Sequence, residues 1–159
     1  DGIVAKLITA LKYAKCLFYV PPLGELLVET FSKWLSKESI NLIVPVPLHI
    51  EKLKERGFNQ ALLLAKELAK RTGIPCSYSV LIKTRKTPPQ VALRVTERKK
   101  NLRQAFAISP AAKAQIRDAS VLVIDDVITT GTTINECAKS LKAVGASRVI
   151  GLSVARTPF

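Results

Sequence analysis

The sequence predicts an α/β protein with a mostly parallel, doubly wound sheet, and two observations support this class. Short apolar runs alternate along the chain with segments whose apolar residues recur at helical spacing. The run 121–124 is apolar and mostly β-branched, without a polar face, as is typical of a strand buried on both sides. In such a sheet, ligands bind beyond the carboxyl ends of the strands.

The periodicity and the breakers place each element in order. Gly73 and Pro75 end the third helix, Gly145 ends the last one, and Trp34 is interpreted as a packing residue of the second. The expected elements are helices at 3–15 and 23–36, a strand at 42–45, a loop, a helix at 59–71, strands at 79–82 and 105–108, a short helix at 111–116, a strand at 121–124, a helix after the following loop, and a strand at 148–155.

Length and composition fit a single domain, because 159 residues with 48% apolar content can bury a core without a metal or a disulfide. The three cysteines, Cys16, Cys76 and Cys137, form no Cys-x-x-Cys pair, which predicts a reducing, cytoplasmic setting. We expect no membrane span, since the apolar stretch 16–28 is short and contains two prolines and a glutamate.

The most informative segment follows the strand at 121–124, where an apolar run leads into two acids, Asp125 and Asp126. A helix begins shortly afterwards, and the first amides of a helix have no intrahelical partner and favour an anion. Glycine lets the backbone approach a ligand, and threonines supply hydroxyl donors. The residues expected to bind a phosphate in this way are Thr129, Thr130, Gly131, Thr132 and Thr133.

Acids beside a phosphate site would repel the anion, and sugar hydroxyls resolve this conflict. Carboxylates accept hydrogen bonds from a vicinal diol and can share a divalent cation with it. The implied ligand is a ribose 5-phosphate group whose hydroxyls reach Asp125 and Asp126. The alternative is an ordinary strand-to-helix turn in which one aspartate caps the helix. A P-loop is excluded, because no Gly-x-x-x-x-Gly-Lys-[Ser/Thr] motif occurs.

Charge is the second unusual property, with a formal net charge of +13. Between residues 83 and 103, eight basic residues stand against one acid, Glu97. This density of positive charge attracts the phosphates of a small substrate or of a nucleic acid. The alternative is a solvated basic face without a binding role. The segment contains Pro88 and Pro89 and little periodicity, so we interpret it as a long loop that closes over a ligand.

Several motifs together resemble a known family. The apolar strand, the acid pair and the threonine loop resemble the signature of the type I phosphoribosyltransferases, which bind phosphoribosyl pyrophosphate (PRPP). A second set of motifs is similar to the ComF group, which is associated with DNA uptake in competent bacteria. In chain order these motifs are Val44-Pro-Val-Pro-Leu-His49, Arg56-Gly-Phe-Asn-Gln60, Lys83-x-Arg85 with Gln90, and Arg98-x-x-Asn101. Members usually begin with a four-cysteine zinc module that this chain lacks. We expect that the module was trimmed or lost, and no zinc site is carried over.

The resemblance implies the type I phosphoribosyltransferase fold, with a helical hood at 1–38 and a PRPP-binding core at 39–159. Asp125, Asp126 and Arg56 are then the catalytic residues, and the two acids hold Mg²⁺, directly or through ribose or water. The pyrophosphate-binding residues implied are Val46, Pro47, Leu48, His49 and Arg56. The flexible basic loop would contribute Lys83, Arg85, Gln90, Arg98 and Asn101.

Some roles stay open at the level of sequence. Asn59 either contacts the ligand or caps the following helix, and His49 is either a general acid–base or a bystander. The resemblance favours Mg²⁺-dependent phosphoribosyl transfer to an unidentified acceptor. The alternatives are a non-catalytic PRPP-binding protein and a competence factor that binds single-stranded DNA or proteins of the competence machinery. The acceptor and the oligomeric state are not determined.

Overall fold

The computed structural model describes residues 2–85, 102 and 104–156. Short 3₁₀ turns at Leu17–Tyr19 and Pro110–Ala112 join some of its elements. The helices whose bounds the structure describes are α1 (Ile3–Tyr13), α2 (Val20–Trp34), α3 (Ile50–Arg56), α4 (Gln60–Thr72), α5 (Lys113–Ile116) and α6 (Thr132–Ala143). The strands are β1 (Leu42–Pro45), β2 (Leu81–Lys83), β3 (Phe106–Ile108), β4 (Ser120–Ile128) and β5 (Arg148–Arg156).

Three parallel strands in the order β1-β4-β5 form the central sheet. β1 pairs with the first half of β4, and β5 pairs with β4 as far as Ile128. A single parallel bridge from Ile43 to Cys76 continues the sheet on the far side of β1. β2 and β3 form a separate antiparallel ribbon. The predicted class, an α/β fold with a mostly parallel sheet, is confirmed.

Helices cover both faces of this sheet, because successive side chains of a strand point to opposite sides. Ile43, Leu122 and Ile124 pack with α1, α2 and α4 on one face. On the other face, Val44 and Val123 belong to the core that contains α6 and the β2–β3 ribbon. The carboxyl ends of β1 and β4 therefore emerge between two packed layers.

Three predictions about individual elements were wrong. β4 does not end at residue 124 but continues to Ile128, since β5 supplies partners along that length. The loop expected between residues 45 and 59 contains α3, which is short and has few apolar positions, so that its periodicity is weak. Trp34 is 70% exposed and does not pack in the core; the Lys33 ammonium lies 5.2 Å from its ring centroid.

The helices α4 and α6 each end shortly before a glycine in the left-handed conformation. Gly73, with φ of 72°, ends α4, and Gly145, with φ of 98°, follows α6 by two residues, as the sequence predicts. Within the described ranges, no helix combines the length and apolarity needed to cross a bilayer.

Candidate ligand-binding site at the carboxyl edge of the sheet

The two acids lie inside β4, near its carboxyl end, and have different surroundings. Asp126 is buried, with 4% of its surface exposed, and its side chain contacts α1 and α4. Asp125 is half-buried and pairs in register with Ser153 of β5. The tertiary fold thus presents one acid at the surface of the site and holds the other within the protein.

Both carboxylate oxygens of Asp126 have protein partners. The Lys12 ammonium forms an ion pair with Oδ2. Gln60 Nε2 donates a hydrogen bond to Oδ1 over 3.4 Å, and Gln60 Oε1 accepts one from Arg56 Nη1 over 2.5 Å. Buried polar groups are costly unless paired, and this chain of hydrogen bonds joins Arg56, Gln60 and Asp126 Oδ1. Asp126 Oδ2 is buried without a hydrogen bond and has only the ion pair with Lys12.

Arg56, the last residue of α3, lies in this network and is 8% exposed. Its guanidinium carbon lies 5.9 Å from the centroid of the Tyr13 ring, which covers it from α1. One donor of the guanidinium is used by Gln60. Since a guanidinium carries five N–H donors, others remain to contact a phosphate.

Asp125 accepts a hydrogen bond from the Asp126 amide at its Oδ1, over 2.9 Å. Burial, and next the negative charge of Asp126, raises the pKa of Asp125 well above its usual value, while Lys12 acts in the opposite direction. Two neighbouring carboxylates that are partly shielded from water favour a cation or a hydrogen-bond donor between themselves and solvent. A ligand with hydroxyl groups and a divalent cation meets that requirement.

The threonine-rich turn follows β4 directly and leads into α6. Gly131 has φ of 73° and is the N-cap, so the backbone turns there in a conformation that favours glycine. Thr132 is buried as the first residue of α6, and its hydroxyl lies 2.8 Å from that of Thr130. The predicted order of strand, turn and helix is confirmed, and it aims the amides of the first turn of α6 at the carboxyl edge.

The segment predicted to bind pyrophosphate leaves the end of β1 beside β4. The Val46 amide donates a hydrogen bond to Ile124 O over 2.9 Å, and Pro47 has no N–H to donate. The backbone donors of this segment that remain are therefore those of Leu48 and His49. His49 is the N-cap of α3, and its Nδ1 accepts a hydrogen bond from the Glu51 amide over 3.4 Å.

Asn59 has a structural role at the same edge. Its Oδ1 accepts a hydrogen bond from the Ala61 amide over 3.0 Å, which caps α4. Its Nδ2 donates to Val46 O over 3.0 Å. Of the two interpretations left open by the sequence, capping is therefore the one that the structure bears out.

Of the five residues predicted to contribute from the basic loop, Lys83 and Arg85 are described. Burial lowers the pKa of Lys83, at the end of β2, while the charges of Cys137 and Asp125 act in the opposite direction. Arg85 is exposed two residues further on. Gln90, Arg98 and Asn101 lie outside the described residues, so closure of this segment over a ligand stays a prediction.

Sequence reasoning missed three residues of this site, Lys12, Tyr13 and Gln60. Gln60 stood in a quoted motif, next to the N-cap of α4, but its burial depends on the approach of β4. Lys12 and Tyr13 lie in an amphipathic helix with no distinguishing pattern. Only the packing of α1 on the sheet brings them to the acids.

The donor set at the edge fits a magnesium ion that arrives with its ligand. Among the described residues, no group of three or more His, Cys, Asp or Glu side chains is placed to hold a metal. Mg²⁺ usually keeps several waters and takes one or two carboxylates together with substrate phosphates. Asp125 and Asp126 match that type of site, and Asp125 is the more accessible of the two.

Comparison with known proteins agrees with this geometry. The phosphoribosyl transferase domain family matches residues 58–158. Competence protein F of Haemophilus influenzae is 35% identical over 114 residues, which are 72% of this chain and 49% of that protein. The DNA utilization protein YhgH of Escherichia coli K12 is 34% identical over 115 residues, with the same coverage of 72% and 49%. The chain thus spans about half the length of these curated relatives.

Solved structures show the same fold at low identity. An allosteric regulatory enzyme of purine biosynthesis superposes with a TM-score of 0.57 and 20% identity, over 86% of this chain and 26% of that one. A purine phosphoribosyltransferase from Pyrococcus horikoshii superposes with a TM-score of 0.53 and 16% identity, over 86% and 74%. The predicted resemblance to the ComF group and to the phosphoribosyltransferase fold is confirmed.

Proposed function

Because the chain belongs to the phosphoribosyl transferase domain family, we propose that it binds PRPP with Mg²⁺ and transfers the phosphoribosyl group to an acceptor. One observation carries this proposal. The acid pair lies near the carboxyl end of β4, and the short turn that follows leads into the amino terminus of α6, so a diol-binding and a phosphate-binding feature lie at one edge of the sheet.

Each part of PRPP has a counterpart at this edge. The turn 129–133 supplies hydroxyls and helix-terminal amides for the 5-phosphate. Asp125 accepts hydrogen bonds from the ribose hydroxyls, and Asp126, which is more enclosed, holds the second position of the pair. The amides of Leu48 and His49 and the remaining donors of Arg56 face the pyrophosphate.

The reaction requires little covalent chemistry from the protein. A lone pair of the acceptor forms a bond to the anomeric carbon, and the bond from that carbon to the pyrophosphate oxygen breaks, with its electron pair leaving on pyrophosphate. Positive charge develops on the ribose ring, and Asp125 and Asp126 stabilise it. When bound, Mg²⁺ would supply positive charge to the leaving pyrophosphate, held by Asp125 and Asp126 directly or through ribose or water.

The setting we propose is DNA uptake or DNA utilization in the cytoplasm. The names of two relatives, Competence protein F and a DNA utilization protein, support that link. All three cysteines are free thiols, as a reducing compartment requires. Because the match covers about half of each relative, the activity and partners of the whole protein are part of the proposal.

Calorimetry with PRPP and Mg²⁺ tests the binding step. Asp125→Asn removes a charge without changing the shape of the side chain, and we expect it to weaken PRPP binding by about tenfold or more, the effect of losing a charge-assisted hydrogen bond. Asp118→Asn is the matched control, because Asp118 is exposed and precedes the amino end of β4. Equal affinity of Asp125→Asn and the wild type would contradict the proposed ribose site.

A separate measurement decides whether binding leads to transfer. Release of pyrophosphate is followed while bases and amines are added one at a time to protein, PRPP and Mg²⁺. An acceptor must produce pyrophosphate in proportion to the product formed. Binding without release across the panel would instead support a PRPP-binding module without turnover.

A second candidate, binding of single-stranded DNA, is favoured by exposed aromatic rings at the end of α1 and in the turn that follows it. Tyr13 ends α1 and is 69% exposed, and Phe18, in the turn that follows, is 82% exposed. Rings of this kind stack on bases, and the net charge of +13 attracts the backbone. We expect Phe18→Ala to weaken binding of a short single strand more than Trp34→Ala does, with affinity falling steeply as salt rises. Affinity that is insensitive to salt would exclude this candidate.

A further inference from the structure

The carboxyl end of α1 crosses the candidate site from one side to the other. Lys12 contacts Asp126 of β4, and the ring of its neighbour Tyr13 covers Arg56 of α3. Two residues beyond, Lys15 Nζ donates to Glu55 O over 3.5 Å. This segment therefore joins the acids proposed to bind ribose to the arginine proposed to face pyrophosphate.

Buried side chains anchor α1, while the side chain of Lys12 is partly exposed and can change direction. Ile8 and Leu11, on the inner face of α1, are 3% and 0% exposed and anchor the helix on the sheet. The Lys12 side chain is 21% exposed, whereas the Asp126 side chain is 6% exposed. A lysine has a flexible four-carbon stem and three donors, so its ammonium can move without any movement of the helix.

Ligand binding changes the charges that Lys12 meets. In the free protein it forms an ion pair with Asp126, whose other oxygen accepts a hydrogen bond from Gln60. PRPP brings phosphate groups that attract the ammonium and hydroxyls that compete for the same carboxylate oxygen. A magnesium ion shared by the acids would also repel a lysine bound there.

We propose that Lys12 is a ligand-binding residue of this site, which neutralises Asp126 in the free protein and moves to the pyrophosphate group when PRPP binds. The exchange releases Asp126 Oδ2 for the ribose hydroxyls and gives α1 a direct part in recognition. This inference rests on the proposed function, because it assigns a residue to the same ligand.

Calorimetry with three probes separates the possible roles of Lys12. The probes are PRPP with Mg²⁺, inorganic pyrophosphate with Mg²⁺, and ribose 5-phosphate, which lacks the pyrophosphate. For Lys12→Gln we expect about tenfold or greater loss of affinity for the first two, and a change within about twofold for ribose 5-phosphate. Lys12→Arg keeps the charge and should restore most of the loss. Lys6→Gln, an exposed change on the same helix, is the matched control.

Three results would overturn the inference. Unchanged affinity for all probes would mean that Lys12 does not touch the ligand. Equal losses for PRPP and ribose 5-phosphate would mean that it only supports Asp126. Tighter binding by Lys12→Gln would mean that the lysine blocks the site. If the wild type binds none of the probes, the proposed function itself fails, and this inference fails with it.

A measurement on the wild-type protein keeps the proposal testable even if the Lys12→Gln variant does not fold. The side-chain nitrogen resonance of Lys12, assigned by its loss in Lys12→Arg, should shift when pyrophosphate and Mg²⁺ are added. Ribose 5-phosphate should leave it in place. If calorimetry recorded pyrophosphate binding but the Lys12 resonance did not shift, the proposed movement of Lys12 from Asp126 to pyrophosphate would be refuted.

Discussion

Gln60 Nε2 donates a hydrogen bond to Asp126 Oδ1 over 3.4 Å, which joins the first residue of α4 to the second acid of β4. The other end of the same amide accepts a hydrogen bond from Arg56. The orientation of Gln60 is thus set by a cation on one side and a carboxylate on the other. This amide connects the side of the site proposed to bind pyrophosphate with the side proposed to bind ribose.

Gln60→Leu should destabilise the protein, because it removes the hydrogen-bond partner of both Arg56 Nη1 and Asp126 Oδ1 in a buried place. The expected loss in the free energy of unfolding is about 1–3 kcal/mol. Urea denaturation of the variant, compared with Gln115→Leu at an exposed position of α5, measures it. If both variants had the same stability, the amide would contribute nothing that water cannot replace.

Leu122→Ala should have a larger effect, since this side chain is fully buried in the middle of β4 against the layer of α1, α2 and α4. A cavity in a packed core costs about 2–5 kcal/mol. Leu17→Ala, at a position that is 51% exposed, should change stability by about 0.5 kcal/mol or less. Thermal or urea unfolding compares the two, and similar values would show that this face of the sheet is not tightly packed.

Substitutions at Gly131 test the turn before α6. A Cβ there would meet no atom closer than Asn135 Nδ2 at 3.9 Å, so the cost of alanine comes from the backbone at φ of 73°. We expect Gly131→Ala to lose about 1–2 kcal/mol of stability and Gly131→Asn to lose less, since asparagine adopts left-handed conformations more readily. Denaturation curves of the two variants provide the comparison, and an equal or greater loss for asparagine would argue against this conformation.

Cys137 should resist alkylation in the folded protein. Burial, and next the charge of Asp125, raises the pKa of its thiol well above the usual value, so the reactive thiolate is scarce at neutral pH. Mass spectrometry after iodoacetamide treatment at neutral pH should find Cys16, which is half-buried, modified before Cys137. In denaturant, all three cysteines should react. Fast labelling of Cys137 in native buffer would show that the core around α6 opens readily.

Much of the fold follows from local patterns. The alternation of apolar runs with helical segments, and the breakers Gly73 and Gly145, depend on residues within a few positions of one another. The same holds for the turn from β4 to α6, where Gly131 and the neighbouring threonines carry the signal. Elements with weak local patterns were missed, as α3 was, because its seven residues contain few apolar positions.

The site was determined by the sequence only in part. The sequence by itself placed Asp125, Asp126 and the threonine turn at the end of a strand, and its motifs identified the family. Tertiary structure decided that β4 extends past the acids, because β5 pairs beside it, and that Asp126 is buried while Asp125 is half-buried. It also brought Lys12 and Gln60 to the acids. Such contacts depend on how helices pack across a sheet. No local sequence pattern indicates that two residues distant in the chain will meet there.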